Sequence, residues 1–354
     1  MNRLALTASA AAVALSMGAS IAHADTINLR IGSGHPIGLL AYTESAHEFF
    51  APELKRRIEE RTDYTVNVQE LHAGAVARVD QVLEATGDGI LDIGFVSLIF
   101  EPSNAFLQNF TLFLPFGSPD PEMVTEAARA TLDAHPELIT MFEEQFNQKY
   151  LTGACLSNYG LGTDFEWDAF ADLQGRRIAG AGVNLDWIAG ASPVTSNLNE
   201  AYQSIQTGVY DGYISAISWW DSFKLYEVAP HFTLTDFGAQ YLNAVTINLD
   251  TWDRLPPEVQ EILVELAEDY EAETTRLCIE SEAGGIAALE GHGATVRQIS
   301  PEAREAWATA LKDFPARMAA EADGMGLPGA SVLETYMSEL EKRGYVWPYR
   351  YELN

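Results

Sequence analysis

The sequence is poor in cysteine and in positive charge, and each shortage excludes a class of protein. Its 354 residues include two cysteines, Cys155 and Cys278, which are too few for a fold held together by disulfides. We interpret both as small buried side chains, with a single disulfide between them as the alternative. Lysine and arginine number 21 against 51 aspartates and glutamates, so the formal net charge is −30. Such an acidic surface repels nucleic acids and anionic lipids, and we expect neither as a partner.

Motifs of catalysis and of metal binding are also missing. Gly32, Gly34 and Gly38 follow a predicted strand, but their spacing is G-x-G-x-x-x-G and differs from the dinucleotide-binding G-x-G-x-x-G. There is no P-loop and no G-x-S-x-G elbow, and the seven histidines are scattered without the spacing of metal ligands. We therefore expect a binding protein that is not an enzyme and that uses no cofactor or metal. An exported enzyme built on the same fold stays open as an alternative.

Long apolar runs are confined to the N-terminus. Arg3 precedes an apolar and small-residue stretch over 4–21, and residues 22–24 have the A-x-A form of a cleavage site. We predict that residues 1–24 are a secretory signal peptide, with an uncleaved anchor as the alternative. No later apolar run reaches the roughly 20 residues needed to cross a bilayer. We expect a periplasmic protein whose mature chain begins near Asp25.

Strands and helices alternate along the first part of the mature chain. Residues 27–31 and 64–71 have the pattern of strands, and residues 91–96 are almost continuously apolar, as buried parallel strands are. A helix is predicted between the first two of these strands. This alternation predicts the α/β class. The longest helix is predicted to open at the prolines 256–257 and to keep its apolar period to about Leu289.

The most specific pattern lies between residues 172 and 235. It contains the successive motifs L-x-G-x-R-I, E-x-Y-x-x-x-Q-x-G-x-x-D-G and Y-E-V, formed by Leu173, Gly175, Arg177, Ile178, Glu200, Tyr202, Gln206, Gly208, Asp211, Gly212, Tyr226, Glu227 and Val228. In these motifs the chain resembles the solute-receptor subunit of tripartite ATP-independent periplasmic (TRAP) transporters. The resemblance covers essentially the whole mature chain.

The resemblance implies a two-lobed periplasmic binding protein of the α/β class, with hinge strands and a long helix that spans both lobes. It assigns residues 25–150 plus about 240–282 to lobe I, and residues 151–239 plus about 283–354 to lobe II. The ligand cleft is expected between the lobes, which close on one small solute. The loaded receptor, a monomer, is expected to dock onto the integral-membrane permease subunits of a TRAP transporter.

One departure from the family's pattern bears on the solute. In relatives, an arginine follows the isoleucine of the first motif and clamps a substrate carboxylate, whereas this chain has Ala179 there. Arg177 lies on the same predicted strand face and is the candidate replacement, although its match to a usual lysine favours a solvated structural role. The loss of the clamp predicts a small amine or amino alcohol of the ethanolamine or choline kind. A small organic acid with a rebuilt anion site is the alternative.

Candidate ligand contacts come from strand ends and from clusters of aromatic and acidic residues. Open α/β sheets bind ligands at the carboxyl ends of their strands, and an ammonium group is attracted by aromatic faces and by carboxylates. The predicted contacts are His35, Ser97, Phe100, Glu101, Tyr159, Asn184, Asp186, Trp187, Ser215, Trp219 and Trp220. Trp219 and Trp220 are expected on one strand, where at most one of them faces the cleft. Core packing of both rings is the alternative.

Overall fold

The structure is a computed structural model that describes residues 25–353. The predicted signal peptide lies outside the described residues. The strands that the described residues form are β1 (Thr26–Gly32), β2 (Thr65–Glu70), β3 (Ile93–Ser97), β4 (Gln148–Leu156), β5 (Tyr159–Thr163), β6 (Arg177–Gly180), β7 (Ser192–Thr195), β8 (Gly212–Ala216), β9 (His231–Leu234), β10 (Gln240–Asn248) and β11 (Thr295–Gln298). The three strands predicted near the N-terminus correspond to β1, β2 and β3.

Helices separate most of these strands. They are α1 (Ala41–Ser45), α2 (Ala51–Arg61), α3 (Val82–Gly87), α4 (Pro121–Ala134), α5 (Glu137–Phe146), α6 (Leu198–Gln206), α7 (Ile217–Ser222), α8 (Leu249–Arg254), α9 (Pro257–Gly291), α10 (Pro301–Ala310), α11 (Phe314–Gly324) and α12 (Gly329–Lys342). A π-helical turn, Ala46–Phe50, joins α1 to α2. Short 3-10 helices occupy Leu98–Phe100, Leu107–Phe113, Phe170–Leu173, Gly182–Trp187 and Leu225–Glu227.

The strands form two separate mixed sheets. The first has the order β2-β1-β3-β10-β4, in which β1 runs parallel to β2 and β3 while β10 is antiparallel to β3 and β4. The second has the order β11-β9-β5-β8-β6-β7, in which β6 is parallel to β7 and β8. We call the body around the first sheet lobe I and the body around the second sheet lobe II. The predicted α/β, two-lobed class is therefore confirmed.

Two adjacent connections carry the chain from one sheet to the other. Residues 157–158 join β4 to β5, and residues 235–239 join β9 to β10. The backbone N–H of Tyr159 donates to the carbonyl of Gly238 (3.3 Å), and that of Phe237 donates to the carbonyl of Tyr159 (3.2 Å). The Asn158 amide donates to Asp236 Oδ1 at 3.0 Å. Paired in this way, the two connections lie where the resemblance implied hinge strands, although neither has strand structure of its own.

Helix α9 is the spine of the molecule. Its 35 residues are about 50 Å long at 1.5 Å per residue. Helices α1, α2 and α4 pack on it in lobe I, and α7 and β11 pack on it in lobe II. The Tyr270 hydroxyl donates to the Tyr42 carbonyl at 2.8 Å, which ties the spine to α1. The long helix that spans both lobes is thus present as predicted.

The residues at which one lobe ends and the other begins stay a proposal. The membership of each strand in a sheet refines the boundaries that the resemblance implied. Residues 151–156 belong to β4 of the first sheet, so we propose the first crossing at residues 157–158. Helix α12 packs on α4 and α11 packs on α12, so we group both with lobe I.

Cys155 and Cys278 are buried free thiols, and the Cys278 thiol donates to the Cys155 carbonyl at 3.5 Å.

Candidate ligand-binding cavity

A cavity of about 660 Å³ lies between the two lobes, a volume that suits a small molecule. Lobe I contributes the turn after β1, the loop after β2 and the end of β3. Lobe II contributes the segments after β6 and β7, the end of β8 and helix α7. The lining residues are Gly34, His35, Pro36, Leu39, Leu40, Tyr42, Ala73, Gly74, Arg78, Val79, Ser97, Ile99, Phe100, Leu156, Tyr159, Ala181, Asn184, Asn197, Leu198, Asn199, Tyr213, Ile214, Trp219 and Phe223.

Aromatic rings form part of the wall of this cavity, among aliphatic side chains. Trp219 is 8% exposed and packs edge-on against Tyr159, with ring centroids 5.6 Å apart. Its position follows from the chain path, because α7 begins directly where β8 ends and projects its first turn over the cleft. The other lining rings are His35, Tyr42, Phe100, Tyr213 and Phe223. Such a wall favours apolar groups and cations over anions.

Formal charge is almost absent from the wall. Within residues 25–353, Arg78 is the one lining residue with a permanent charge, and no aspartate or glutamate lines the cavity. The Arg78 side chain is 69% exposed and pairs with Asp80 at 2.8 Å. The cavity therefore presents neither an uncompensated carboxylate nor an uncompensated arginine.

A few polar groups interrupt the apolar surface. Asn184 is 3% exposed, and its Oδ1 atom has no hydrogen-bond partner within residues 25–353. Such an orphaned buried acceptor costs about 1–3 kcal/mol, so a ligand N–H or C–H donor that reaches it is favoured. Ser97, Asn197 and Asn199 also line the cavity.

His35 is held at the cavity wall by its turn and by its neighbours. Its Nδ1 lies 2.6 Å from the hydroxyl of Tyr42, and its ring packs edge-on against Phe100 with centroids 5.6 Å apart. Burial lowers the pKa of His35 to about 4, so the imidazole is neutral at neutral pH. The turn itself requires Gly34, because a Cβ there would lie 2.2 Å from the Cα of Val79.

The structure brings six of the eleven predicted contact residues together at this cavity. These six are His35, Ser97, Phe100, Tyr159, Asn184 and Trp219. The other five, among them both predicted acids, lie away from the wall. Of the predicted aromatic contacts, Phe100, Tyr159 and Trp219 therefore line the cavity, whereas Trp187, Trp220 and both acids do not.

Two of the five are tryptophans that pack in the interior. Trp187 stacks on Phe237 with centroids 5.2 Å apart and donates its Nε1–H to the Leu112 carbonyl at 3.0 Å. Trp220 is fully buried in the core of lobe II and donates to the Ala229 carbonyl at 3.0 Å. The expectation that Trp219 and Trp220 share a strand was wrong, since both lie on α7. Adjacent residues on a helix differ by about 100° in direction, which separates the two rings.

The remaining three have protein partners of their own. Glu101 is buried and accepts a hydrogen bond from Asn104 at 3.0 Å, and burial raises its pKa. Asp186 forms an ion pair with Arg317 at 3.0 Å on the surface. The Ser215 hydroxyl is buried within β8 and donates to the Ala216 carbonyl at 3.1 Å.

The position of the family's arginine is filled by apolar packing. Ala179 is buried in β6 opposite Tyr213 of β8, in one apolar cluster with Tyr210. Arg177 is directed away from the cavity, because its guanidinium pairs with Asp211 at 2.7 Å and donates to the Gly208 carbonyl at 2.9 Å. Arg177 thus has the structural role that its lysine-like position favours.

Several lining residues were not predicted from the sequence. Tyr42 follows His35 by seven residues and is the second residue of α1, the first helix after the glycine-rich turn. Tyr213 lies on β8 beside Ala179, where a large ring compensates for the small side chain. Arg78 and Phe223 lie on a loop and at the end of a short helix, where no periodic pattern marks them.

Comparisons with known proteins agree with this architecture. Residues 40–322 match the family model of bacterial extracellular solute-binding proteins, family 7 (DctP). The chain is 26% identical over 237 residues to the ectoine-binding periplasmic protein TeaA of Halomonas elongata, which covers 64% of this chain and 67% of that protein. It is 31% identical over 132 residues to the C4-dicarboxylate-binding periplasmic protein DctP of Rhodobacter capsulatus, which covers 37% and 39% of the two chains.

Solved structures share the fold over nearly the whole chain. A TRAP periplasmic solute-binding protein from Desulfovibrio salexigens superposes with a TM-score of 0.77 at 20% identity, over 90% of this chain and 97% of that one. A mandelate-bound TRAP protein from Bordetella bronchiseptica gives a TM-score of 0.74 at 24% identity, over 90% and 99%. The ligand-free TeaA structure gives a TM-score of 0.73 at 21% identity, over 89% of this chain and 100% of that one.

These relatives are receptors and not enzymes. Members of the family are periplasmic, bind small solutes and work with membrane permease subunits. Within residues 25–353, no helix is both long enough and apolar enough to cross a membrane. The family model matches most of the chain, and the solved structures share its two lobes. The chain therefore belongs to family 7 of the bacterial extracellular solute-binding proteins, which are the solute receptors of TRAP transporters.

Proposed function

We propose that this chain is the receptor of a TRAP transporter for a small solute with a cationic nitrogen, of the choline kind. The observation that carries the proposal is the cavity wall, where the rings of Phe100, Tyr159 and Trp219 surround a space free of uncompensated formal charge. Each aromatic face that contacts a desolvated cation contributes about 0.5–2 kcal/mol. A free carboxylate solute would find no comparable partner on this wall.

The missing acids favour a quaternary over a primary ammonium group. A primary ammonium has three N–H donors that need acceptors once they leave water, and the wall offers few. A quaternary ammonium has no N–H, and aromatic cages recognise it without a carboxylate. We therefore favour the choline kind over the ethanolamine kind, with the orphaned amide oxygen of Asn184 facing the positive end.

Loss of the family's carboxylate clamp supports the same choice. Ala179 cannot make the bidentate fork by which arginine holds a carboxylate. Arg177 is occupied by Asp211, at 2.7 Å, and does not line the cavity. A solute without an exposed carboxylate has no need of either group.

Closure of the two lobes is the proposed mechanism. A solute in the cavity contacts His35 and Phe100 of lobe I together with Asn184 and Trp219 of lobe II. Contacts to both lobes form only when the lobes approach, so the solute favours the closed state by its differential affinity. The paired connections at residues 157–158 and 235–239 are the proposed hinge, and the permease subunits would bind the closed form.

A small organic acid is the second candidate. Arg78 lines the cavity, and it would become available to a carboxylate if Asp80 released it. Solved relatives carry bound galacturonate, gulonate or mandelate, each of which is a carboxylate. In this case Arg78 would be the rebuilt anion site.

A thermal-shift screen distinguishes the two candidates. The mature chain is tested against choline, ethanolamine, galacturonate and mandelate, alongside the Arg78→Gln variant as control. A solute at 100 times its Kd stabilises the native state by about 2.7 kcal/mol, which gives a clear rise in Tm. We expect choline to raise the Tm of both proteins equally. If only carboxylates raised the Tm, and the Arg78→Gln variant lost this rise, the solute would be a small organic acid instead.

Export by a cleaved signal peptide is part of the same proposal. Residues 1–24 have the composition of such a peptide. The intact mass of protein recovered from the periplasmic fraction should correspond to a chain that begins at Asp25. A mass that includes residues 1–24 would indicate an uncleaved anchor.

A further inference from the structure

The hydrogen bond between Tyr42 and His35 fixes the chemistry that His35 offers to the cavity. The Tyr42 hydroxyl lies 2.6 Å from His35 Nδ1, and within residues 25–353 this is its one hydrogen-bond partner. Tyr42 is 1% exposed, so its hydroxyl is almost closed to solvent. The position of that proton therefore follows from the partner.

The protein contacts favour the phenol as the donor of this bond. If Nδ1–H donated to the phenol oxygen, the phenol proton would be left buried without an acceptor, at a cost of about 1–3 kcal/mol. If the phenol donates, both groups are satisfied and Nδ1 is an unprotonated acceptor. Burial lowers the pKa of His35 to about 4, so its single ring proton then lies on Nε2.

The turn and the neighbouring rings restrain the His35 ring. The His35 carbonyl accepts hydrogen bonds from the Ser33 hydroxyl, at 3.0 Å, and from the Ala73 N–H, at 3.1 Å. The ring itself is held between Tyr42 and Phe100 by edge-on contacts. His35 lines the cavity, and its Nε2 has no protein partner within residues 25–353.

We propose that Tyr42 is a positioning residue that locks His35 as the Nε2–H tautomer, so that the cavity selects solutes with an acceptor oxygen beside their apolar or cationic part. The identity of that solute rests on the proposed function, whereas the tautomer does not. A quaternary ammonium that carries a hydroxyl oxygen satisfies both the rings and His35. A bare alkylammonium leaves the Nε2–H without a partner.

Nitrogen-15 NMR of the ligand-free chain tests the tautomer directly. Long-range proton–nitrogen correlations of the His35 ring should show a protonated Nε2 and an unprotonated Nδ1 in the wild-type chain. In Tyr42→Phe the lock is removed, and the two nitrogens should move towards the averaged values of a mixed tautomer. A protonated Nδ1 in the wild type, or unchanged shifts in Tyr42→Phe, would overturn the proposal. The Tm of each variant reports separately on folding.

A matched pair of probes tests the selection. Choline and ethyltrimethylammonium differ by one hydroxyl, and calorimetric titration should give choline about a tenfold lower Kd, the equivalent of 1.4 kcal/mol. In His35→Phe this preference should vanish, and in Tyr42→Phe it should shrink. A preference that survives in His35→Phe contradicts the proposed donor role. If neither probe binds, the cationic solute of the proposed function fails, while the NMR result still decides the tautomer.

Discussion

Trp219 and Trp220 are adjacent in the sequence, and the structure gives them different surroundings. Trp219 lines the cavity beside Tyr159, whereas Trp220 is fully buried against Phe232 in lobe II. The cause is the short helix α7, which turns consecutive side chains by about 100°. The sequence predicted that at most one ring would face the cleft, but it could not indicate which one, because six residues are too few for a helical period to be recognised.

Replacement of Trp219 should weaken the binding of the solute. We expect Trp219→Ala to weaken the binding of choline by about 1–2 kcal/mol, because the largest face on the cavity wall is lost. The measurement is calorimetric titration of the mature chain. An unchanged Kd would mean that the solute does not contact this ring.

Replacement of Trp220 should have the opposite profile. Trp220→Ala leaves a void in the core of lobe II and removes the hydrogen bond to the Ala229 carbonyl. We expect a loss of about 3–5 kcal/mol in the free energy of unfolding, measured by urea denaturation. A variant of wild-type stability that binds choline poorly would place Trp220 in the site and contradict the assignment.

At the scale of elements, the strands and helices with a long or strict pattern of apolar residues were predictable from the sequence. The short elements were not. The apolar period of residues 259–289 predicted α9, and the alternation at the N-terminus predicted β1 to β3. The lining of the cavity depends on loops and single turns, whose positions are fixed by tertiary packing. The surroundings of Asp186 illustrate this, because its partner Arg317 is 131 residues away in the sequence.

Contact between α7 and α9 offers a test at this scale. A Cβ at Gly285 would lie 2.9 Å from the backbone nitrogen of Ser218, so Gly285→Ala must push α7 away from the spine. We expect this variant to lose about 1–3 kcal/mol of stability and to bind choline more weakly, because Trp219 moves with α7. The measurements are urea denaturation and calorimetric titration.

Gly284 provides the matched control. A Cβ at this exposed neighbour meets no atom within 4 Å. Gly284→Ala should therefore raise the free energy of unfolding by about 1 kcal/mol, because alanine is the better helix former, and should leave binding unchanged. Equal behaviour of the two variants would exclude a specific contact between α7 and the spine.

At the scale of the whole molecule, the proposed hinge and the spine meet at one half-buried carboxyl group. Glu282 of α9 lies beside Asn158 and Asp236 of the two connections, and burial raises its pKa to about 7. Between pH 4.5 and 7 the folded chain therefore keeps a proton that the unfolded chain releases. By linkage, this group's contribution to stability is complete below pH 4.5 and is lost as the pH rises towards 7.

Glu282→Gln should remove this pH dependence. The stability difference between the variant and the wild type should grow in favour of the variant from pH 4.5 to 7, measured by urea denaturation at several pH values. Glu290→Gln, at the exposed end of the same helix, is the matched control variant. A constant difference for Glu282→Gln would show that this carboxyl group titrates normally in the folded chain.

The central claim concerns the whole cavity, which we propose binds a cationic nitrogen by its aromatic wall. The most direct measurement compares choline with 3,3-dimethylbutan-1-ol, which has the same shape with a carbon in place of the charged nitrogen. Calorimetric titration of the mature chain should give choline at least about a tenfold lower Kd, since several ring faces each contribute about 0.5–2 kcal/mol to a cation and not to its neutral copy. Equal affinities for the two molecules would contradict the account.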